Sequence, residues 1–534
     1  MKLIVDSIDR ICIKEKNRTV ALHQVLICAK SGHGKSLALE RIIYSYWKAG
    51  FVIISLNDAK NLLELGFLGM PIELIQDYHK RALKEQNLEP ITADIKVFHP
   101  FTFNIPKNKI PETNFFTFPI TELSDSEIVF LLEDSEDRIT REIIANAKNN
   151  LSEKDSLWEF IQKIELLTKR IQKSGYQEYP NQQLFGLDEP ALGTLKNVDE
   201  IARSFNRFQT NLFLMPKNSE SNLNIEKELF ENQKTIKIFS TRFISDQKTK
   251  DFVVLMLLNQ IVKNAYKSKH PILIVIDELK DLCPSGVDLG YKKVLSREIA
   301  KMLNTMFRAN NIASISTSQS LSGLNKILLR TNSFTTTLIG SLTGETDLLN
   351  LKQIYGFDKE IINSIQNLDF NHFIIQGIPN LPVSVQENNQ FFCLFSPFCH
   401  KEPNYNFDEL FSKYYPEKMK SYSELINKMK TLKEQYIKKS MDVKLTKIKK
   451  EKEEQELKQK QKLQFTEMQK KVEELEKQKK ETGKEATEKR NQEIFNLYLT
   501  GEYSQQDLAK KFNLGQSMIN NILKKKKELD NEGQ

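Results

Sequence analysis

Eight residues constrain this chain more than any others: Ala29-Lys30-Ser31-Gly32-His33-Gly34-Lys35-Ser36. They follow an apolar run, Val25-Leu26-Ile27-Cys28, and precede a helical pattern from about Lys35 to Lys48. A second apolar run, Phe51 to Leu56, comes next and ends at Asn57-Asp58-Ala59-Lys60. Strand, loop, helix and strand in that order predict a βαβ unit and therefore a parallel sheet. The loop itself has the spacing of a phosphate-binding P-loop, with Ala29 in place of the first glycine. Such a loop must curl around phosphate oxygens and aim successive backbone N–H groups inward. Gly32 and Gly34 permit the curl, and the following helix N-terminus adds partial positive charge. Lys35 is expected to reach the β- and γ-phosphates of ATP, and the Ser36 hydroxyl to ligate Mg²⁺.

A second acidic element fits the first. Ile272-Leu273-Ile274-Val275-Ile276 is a buried-type strand ending in Asp277-Glu278. Two carboxylates at the C-terminal end of a parallel strand stand where open α/β sheets bind ligands. Asp277 is expected to hold Mg²⁺ through water, and Glu278 to polarise the attacking water. Without the loop, the same pair would read equally as an acidic helix cap. Ser314 to Gln319 reads as a strand ending in a polar cluster. Gln319 is a candidate for contact with the γ-phosphate or the attacking water, against the alternative of a cap or turn. Arg308 and Arg330 lie 11 residues before and after Gln319, and either could complete a neighbouring subunit's site in trans.

The rest of the 534-residue chain divides by composition. Further strands are expected at Lys96 to Phe98, Phe115 to Ile120, Ile236 to Phe239, Ala313 to Ser316, Phe334 to Ile339 and Phe373 to Gln376. An amphipathic helix is expected over Asp251 to Tyr266. Residues 125–230 are polar and helix-favouring, with Trp158, Phe160, Ile161, Ile164 and Leu167 at helical spacing, and read as a helical insertion. An ATPase domain is therefore assigned to 1–415, a charged helical linker or coiled coil to 416–490 and a small module to 491–534. Within the linker, Leu425, Met429, Leu432 and Tyr436 form one apolar seam, and Phe465, Met468, Val472 and Leu475 a second. A lone solvated helix is the alternative.

In the terminal module, Ser504 caps a short helix through Phe512, Asn513-Leu514-Gly515 is a turn, and Gln516 to Lys525 is a second helix. Leu508, Phe512, Leu514, Ile519 and Ile522 are its expected core. Asn513 tolerates the left-handed geometry that the turn requires. The pattern resembles a helix-turn-helix of the resolvase and transposase type. That resemblance would place Gln516, Ser517, Asn520 and Asn521 at base edges and Lys524 to Lys527 at phosphates. A small helical protein-interaction domain is the alternative.

Together the motifs resemble the HerA/FtsK superfamily of RecA-like motor ATPases. The resemblance spans roughly residues 20–390. It rests on AKSGHGKS, on the strand ending NDAK, on ILIVIDE at Ile272–Glu278, on FRANNIASISTSQS at Phe307–Ser320 and on HFIIQGIPNLPVSV at His372–Val385. It implies an α/β RecA-like P-loop NTPase that works as a ring, usually a hexamer, and pumps double-stranded DNA in genome packaging or DNA transfer. Asn57 departs from the acid often found there, and the C-terminal tail is not a family feature. An ATP-switched DNA-binding or partition protein, or a secretion-type ATPase moving protein, is the alternative function.

The formal net charge of +8 permits a nucleic-acid partner. Five scattered cysteines do not form a disulfide framework. Cys393, Cys399 and His400 lack a second ligand pair at zinc-site spacing. No signal peptide or run of about 18 apolar residues is present, so no membrane insertion and a cytoplasmic location are expected.

Overall fold

The computed structural model describes residues 24–57, 77–91, 93–131, 138–157, 159–164, 166, 214–286, 290–330, 333–377, 391–393, 398, 412–413 and 415–531. The strands expected before residue 24, the Asp58-Ala59-Lys60 turn, Trp158, Leu167 to Phe213, Cys399 and His400 lie outside them. Tertiary contacts divide the chain into two compact units, 1–433 and 434–534.

The first unit is organised by a ten-stranded sheet. Its strands are β1 (Gln24–Cys28), β2 (Val52–Asn57), β3 (Ile95–Pro100), β4 (Thr113–Phe116), β5 (Ile236–Ser240), β6 (Ile272–Ile276), β7 (Ile312–Ser318), β8 (Thr336–Ile339), β9 (His372–Gln376) and β10 (Phe391–Cys393). Their spatial order is β10-β9-β8-β1-β7-β6-β2-β5-β3-β4. Eight strands, β8 through β4 in that order, run parallel. β9 and β10 add antiparallel pairs at one edge. The later strands β6 and β7 slot between β1 and β2. That insertion brings the ends of three strands far apart in sequence to one point on the sheet.

Both faces of the sheet are covered, as a parallel sheet requires. Because side chains alternate along a strand, Val25 and Ile27 point to one face and Leu26 and Cys28 to the other. Val25, Ile27, Leu273, Val275, Ala313 and Ile315 pack with Leu39, Ile42, Ile43 and Tyr46 of helix α1 (Lys35–Lys48). Leu26, Cys28, Ile272, Ile274 and Ile276 pack on the opposite side. There they meet α4 (Gln247–Asn264) through Phe252 and Met256, and α5 (Tyr291–Lys301) through Leu295 and Ile299. Helix α4 begins before the expected Asp251. Asp246 caps it by accepting a hydrogen bond from the Thr249 N–H at 2.8 Å, so the start is fixed by a cap rather than by apolar periodicity.

The run expected as one strand from Phe115 to Ile120 is broken. β4 ends at Phe116, and Phe118-Pro119 pairs instead with Leu214-Met215 in a separate two-stranded sheet. Between them Thr117 bonds Ser221 and Asn222. In the insertion, α2 (Asp125–Leu131) and α3 (Arg138–Asn149) are helical, and Phe160, Ile161 and Ile164 are buried in the main core.

After α6 (Glu345–Tyr355) and α7 (Lys359–Gln366), the long helix α8 (Ser423–Leu499) starts inside the first unit. Leu425, Ile426, Met429 and Leu432 pack on Phe101, Ile105 and Ile110. Three residues of the first expected seam, Leu425, Met429 and Leu432, are therefore covered within this unit, and the Tyr436 side chain lies outside the described ones. The second unit closes with a three-helix cluster: the end of α8, α9 (Gln505–Lys511) and α10 (Gln516–Asn531). Ile494, Phe495, Leu508, Ile519 and Leu523 form its core. Ser504 and Asp507 make a reciprocal capping box, which holds the start of α9. Asn513 adopts φ 51°, the left-handed turn expected of it.

Candidate nucleotide site

The loop from Ala29 to Gly34 leaves the C-terminal end of β1 and enters α1. Gly32 and Gly34 have φ of 74° and 88°, the left-handed region where a side chain is disfavoured. Gly34 is the N-cap of α1; no side chain caps the helix and no acid sits in its first turn. The first N–H groups of α1 thus have no internal partner, which is the state of a helix end suited to an anion. The loop is braced on its strand side. The Ala29 N–H donates to the Ser318 carbonyl at 3.3 Å, and the Lys30 N–H to Ser341 at 2.9 Å. Ala29 fits because its neighbour is Gly340, where an added Cβ would stand 2.7 Å from the Ala29 methyl.

His33 is buried within the loop, and its Nε2 lies 3.0 Å from the His372 carbonyl, which can only accept. The imidazole therefore carries its proton on Nε2. Burial holds its pKa below the usual histidine value, which keeps the ring neutral. The same turn returns a second bond: the Asn371 N–H donates to the His33 carbonyl at 3.2 Å.

Asp277 and Glu278 follow β6, two strands from the loop. Register explains their setting: Ser316 lies opposite Ile276, so Thr317 stands beside Asp277. The Thr317 hydroxyl donates to Asp277 Oδ1 and accepts from the Glu278 N–H at 2.9 Å. Burial raises the Asp277 pKa to about 6, against the lowering effect of the Thr317 bond. Glu278 sits at φ 50°, a left-handed conformation that costs a non-glycine residue roughly 1–3 kcal/mol. Gln319 Nε2 donates to Glu278 Oε1 at 2.8 Å. The other oxygen, Oε2, is buried with no hydrogen bond among the described residues, and the Lys280 ammonium is 3.8 Å away. Lys35 belongs to the same electrostatic group. Its pKa is lowered by burial, while the charges of Glu278 and Asp277 pull it back up.

The structure thus gathers Lys35, Asp277, Glu278 and Gln319 at the C-terminal edge of three adjacent strands. Gln319 is bonded to Glu278, so its first role in this state is to orient that carboxylate. Thr317 and Lys280 complete the set; neither has a motif to announce it, although the alternation of Ser314 to Ser318 hints at a polar strand end. The Ser36 hydroxyl at the helix start and the Asp277 carboxylate are hard oxygen donors of the type Mg²⁺ takes, so the residues present fit that ion.

Arg308 stands elsewhere. It is exposed on the short helix Phe307–Ala309, before β7, whereas Gln319 follows β7. Seven strand residues separate the two by roughly 20 Å. Arg308 therefore lies toward the opposite edge from its own chain's loop. Arg330 ends the short helix Lys326–Arg330 on the way back to the start of β8; its side chain lies outside the described ones.

On the second unit, Gln516, Ser517, Asn520, Asn521 and Lys524 are all exposed. At 100° per residue they fall within an arc of about 140° on α10, beside the side that carries the buried Ile519 and Leu523. No described helix is long and apolar enough to cross a membrane. Among the described residues no group of three or more His, Cys, Asp or Glu side chains is placed to hold a metal ion.

No family model matches the chain, and no curated protein matches its sequence. Among solved structures, the plasmid coupling protein TrwB with ADP and Mg²⁺ aligns at 11% identity and a TM-score of 0.47, over 76% of this chain and 94% of that one. VirB4 of Thermoanaerobacter pseudethanolicus aligns at 11% identity and 0.40, over 72% and 92%. The genome packaging NTPase B204 of Sulfolobus turreted icosahedral virus 2, with ATP-gammaS, aligns at 13% and 0.23, over 32% and 71%. These likenesses are too low to carry functional weight. What makes this chain a P-loop α/β protein is its own geometry: a glycine-bent loop between β1 and α1, in a sheet of eight parallel strands, beside an acidic pair two strands away.

Proposed function

We propose that the chain is an ATPase of the HerA/FtsK motor type that hydrolyses ATP to move double-stranded DNA. The observation that carries this reading is the Gln319–Glu278 hydrogen bond beside Lys35 and Asp277. A cradle that only bound nucleotide would have no need to hold a carboxylate in a left-handed backbone and fix one of its oxygens.

Residues Ala29 to Ser36 receive the triphosphate, with backbone N–H groups of the loop and α1 meeting its oxygens and Lys35 neutralising the β,γ charge. Ser36, and Asp277 through water, would hold Mg²⁺, which would supply charge neutralisation at the phosphates. Glu278 takes the proton of the attacking water on Oε2 while Gln319 steadies Oε1. Arg308 faces away from its own site, so the role open to it is in trans, on the nucleotide of a neighbouring copy in a ring. Arg330 is the second candidate for that role. The exposed arc of α10 meets duplex DNA as the reading helix of a helix-turn-helix, with Asn520 and Gln516 suited to adenine and Lys524 to phosphate.

The test is ATP turnover with and without duplex DNA, together with displacement of a triplex-forming strand. Stimulated turnover and ATP-dependent displacement are expected. Turnover indifferent to DNA would sink the motor reading. An ATP-switched DNA-binding protein, or an ATPase that moves protein, would then take its place.

A further inference from the structure

The second seam of α8 has no partner among the described residues. Phe465, Met468, Val472 and Leu475 are 63%, 70%, 54% and 58% exposed. They recur at 3-4-3 spacing and fall within an arc of about 80° on the helix surface. Their surroundings are charged: Glu467, Lys470, Lys471, Glu473, Glu474 and Lys477 are exposed around them. A solvated single helix has no reason to collect its apolar residues on one line.

The seam is self-complementary in one orientation. With Phe465 and Val472 at heptad position a, Met468 and Leu475 fall at d, Lys471 at g and Glu476 at the next e. Two parallel copies in register set each Lys471 position against the partner's Glu476 position, twice by symmetry. The neighbouring g and e positions, Gln464 and Gln469, are neutral. Antiparallel copies would gain a Glu476–Lys462 pairing but set Lys471 against Lys471. A β-branched residue at a with leucine at d, as at Val472 and Leu475, also favours two parallel strands.

We infer that residues 465–475 pair two copies of this chain as a short parallel coiled coil. Its two heptads bury less than a free-standing dimer needs, so the contact is weak unless other contacts raise the local concentration of copies. The consequence lies 24 residues further on, about 36 Å of helix, where α8 ends in the terminal module. Parallel pairing presents two exposed α10 faces about a two-fold axis. The ligand that matches is a duplex carrying two half-sites in inverted order. That last step rests on the DNA reading of the module; the pairing itself does not.

Single cysteines in the full chain test it. In a parallel pair in register, Met468→Cys and Leu475→Cys each bring two copies of the same sulfur together. Mild oxidation should give a covalent dimer for both, and none for Leu463→Cys on the opposite side of the helix. The unsubstituted chain, whose Cys28 and Cys283 are buried, sets the background. No dimer from position 468 or 475, or a dimer only on mixing Phe465→Cys with Leu475→Cys, would overturn the parallel pairing. A Val472→Asp/Leu475→Asp chain, changed at exposed positions, should keep basal ATP turnover and lose the pairing. A random duplex pool selected on the unsubstituted chain should enrich inverted repeats, and the double variant should bind them at least about tenfold more weakly. Crosslinking with an unenriched pool would overturn the DNA half and leave the pairing established. Absent crosslinking would overturn the pairing whatever the pool shows.

Discussion

The nucleotide site and the terminal module are assembled in opposite ways. The site draws on residues from Ala29 to His372, supplied by runs far apart in sequence: the loop with Lys35 and Ser36, the Asp277-Glu278 pair, Thr317 to Gln319, and Asn371-His372. It is held by strand order: β6 and β7 must lie between β1 and β2 before Lys35 can sense Glu278. The module spans only the end of α8 to Asn531 and is held by local bonds, such as the Ser504–Asp507 capping box and the left-handed Asn513. A half-buried, long-range site fixes a reaction, because its groups cannot move independently. A local, exposed module leaves its recognition face free to be altered without disturbing its core. Substitutions should therefore act on one function at a time.

The largest effect is expected at Lys35. Lys35→Ala removes the only lysine in the loop's helix start, and ATP turnover should fall at least about 10³-fold, in line with losing a charge aimed at the reacting phosphate. Duplex binding through the module should persist. If Lys35→Ala also abolished DNA binding with the chain folded, the separation of the two regions would fail. Next comes Glu278→Gln, which keeps the shape but removes the proton acceptor. Turnover should drop about 10²- to 10⁴-fold. ATP affinity measured by titration should stay within a few-fold, since the loop is untouched. A variant that lost binding instead would make Glu278 a structural cap.

On the module, effects should be smaller and of another kind. Asn520→Ala should weaken selected duplexes by roughly 1–3 kcal/mol, while random duplex binding changes little. Lys524→Ala should weaken all duplexes alike and lower the slope of log affinity against log salt by about 0.9. Basal ATP turnover should be unchanged in both. A base-selective effect at Lys524, or a salt-slope effect at Asn520, would reverse the roles given to them.

The two regions also differed in how far their sequence disclosed them. α1 begins at Lys35 and ends at Lys48, as its glycine-bearing start and basic last turn indicate, and β6 runs from Ile272 to Ile276 as its apolar run predicts. Lys35 and the Asp277-Glu278 pair announce themselves because their chemistry requires fixed spacing from a strand end. Thr317, Lys280, Gly340 and Asn371 do not. Their importance comes from strand order and register, which a single sequence does not encode locally. The break at Thr117 was hidden for a related reason: Phe115 to Ile120 has strand chemistry throughout, and its hydrogen bonds go to a segment a hundred residues away. The seam at Leu425 to Leu432 has coiled-coil spacing, yet Phe101 and Ile110 cover it. Spacing identifies an apolar face and says nothing of what lies against it. In the module, by contrast, the caps and the Asn513 turn are local events and could be read directly.

The smallest and sharpest test concerns Asn371, which sequence spacing did not single out. Its side chain is fully buried, and its carboxamide makes no hydrogen bond among the described residues. An added Cβ on Gly34 would stand 1.5 Å from Asn371 Oδ1. Gly34→Ala thus meets two obstacles, the φ of 88° and the amide, and ADP binding should weaken. Asn371→Gly removes the amide at a position whose own φ of 62° suits glycine. If the amide is the main obstacle, adding Asn371→Gly to Gly34→Ala should recover roughly 1–2 kcal/mol of binding, a coupling typical of residues in contact. ADP titration of both single variants and the double closes the cycle. Strict additivity would show that Gly34 is required by its backbone angle alone. In that case the turn before β9 would brace the loop only through the His33–His372 and Asn371–His33 bonds, and not through side-chain contact with Gly34.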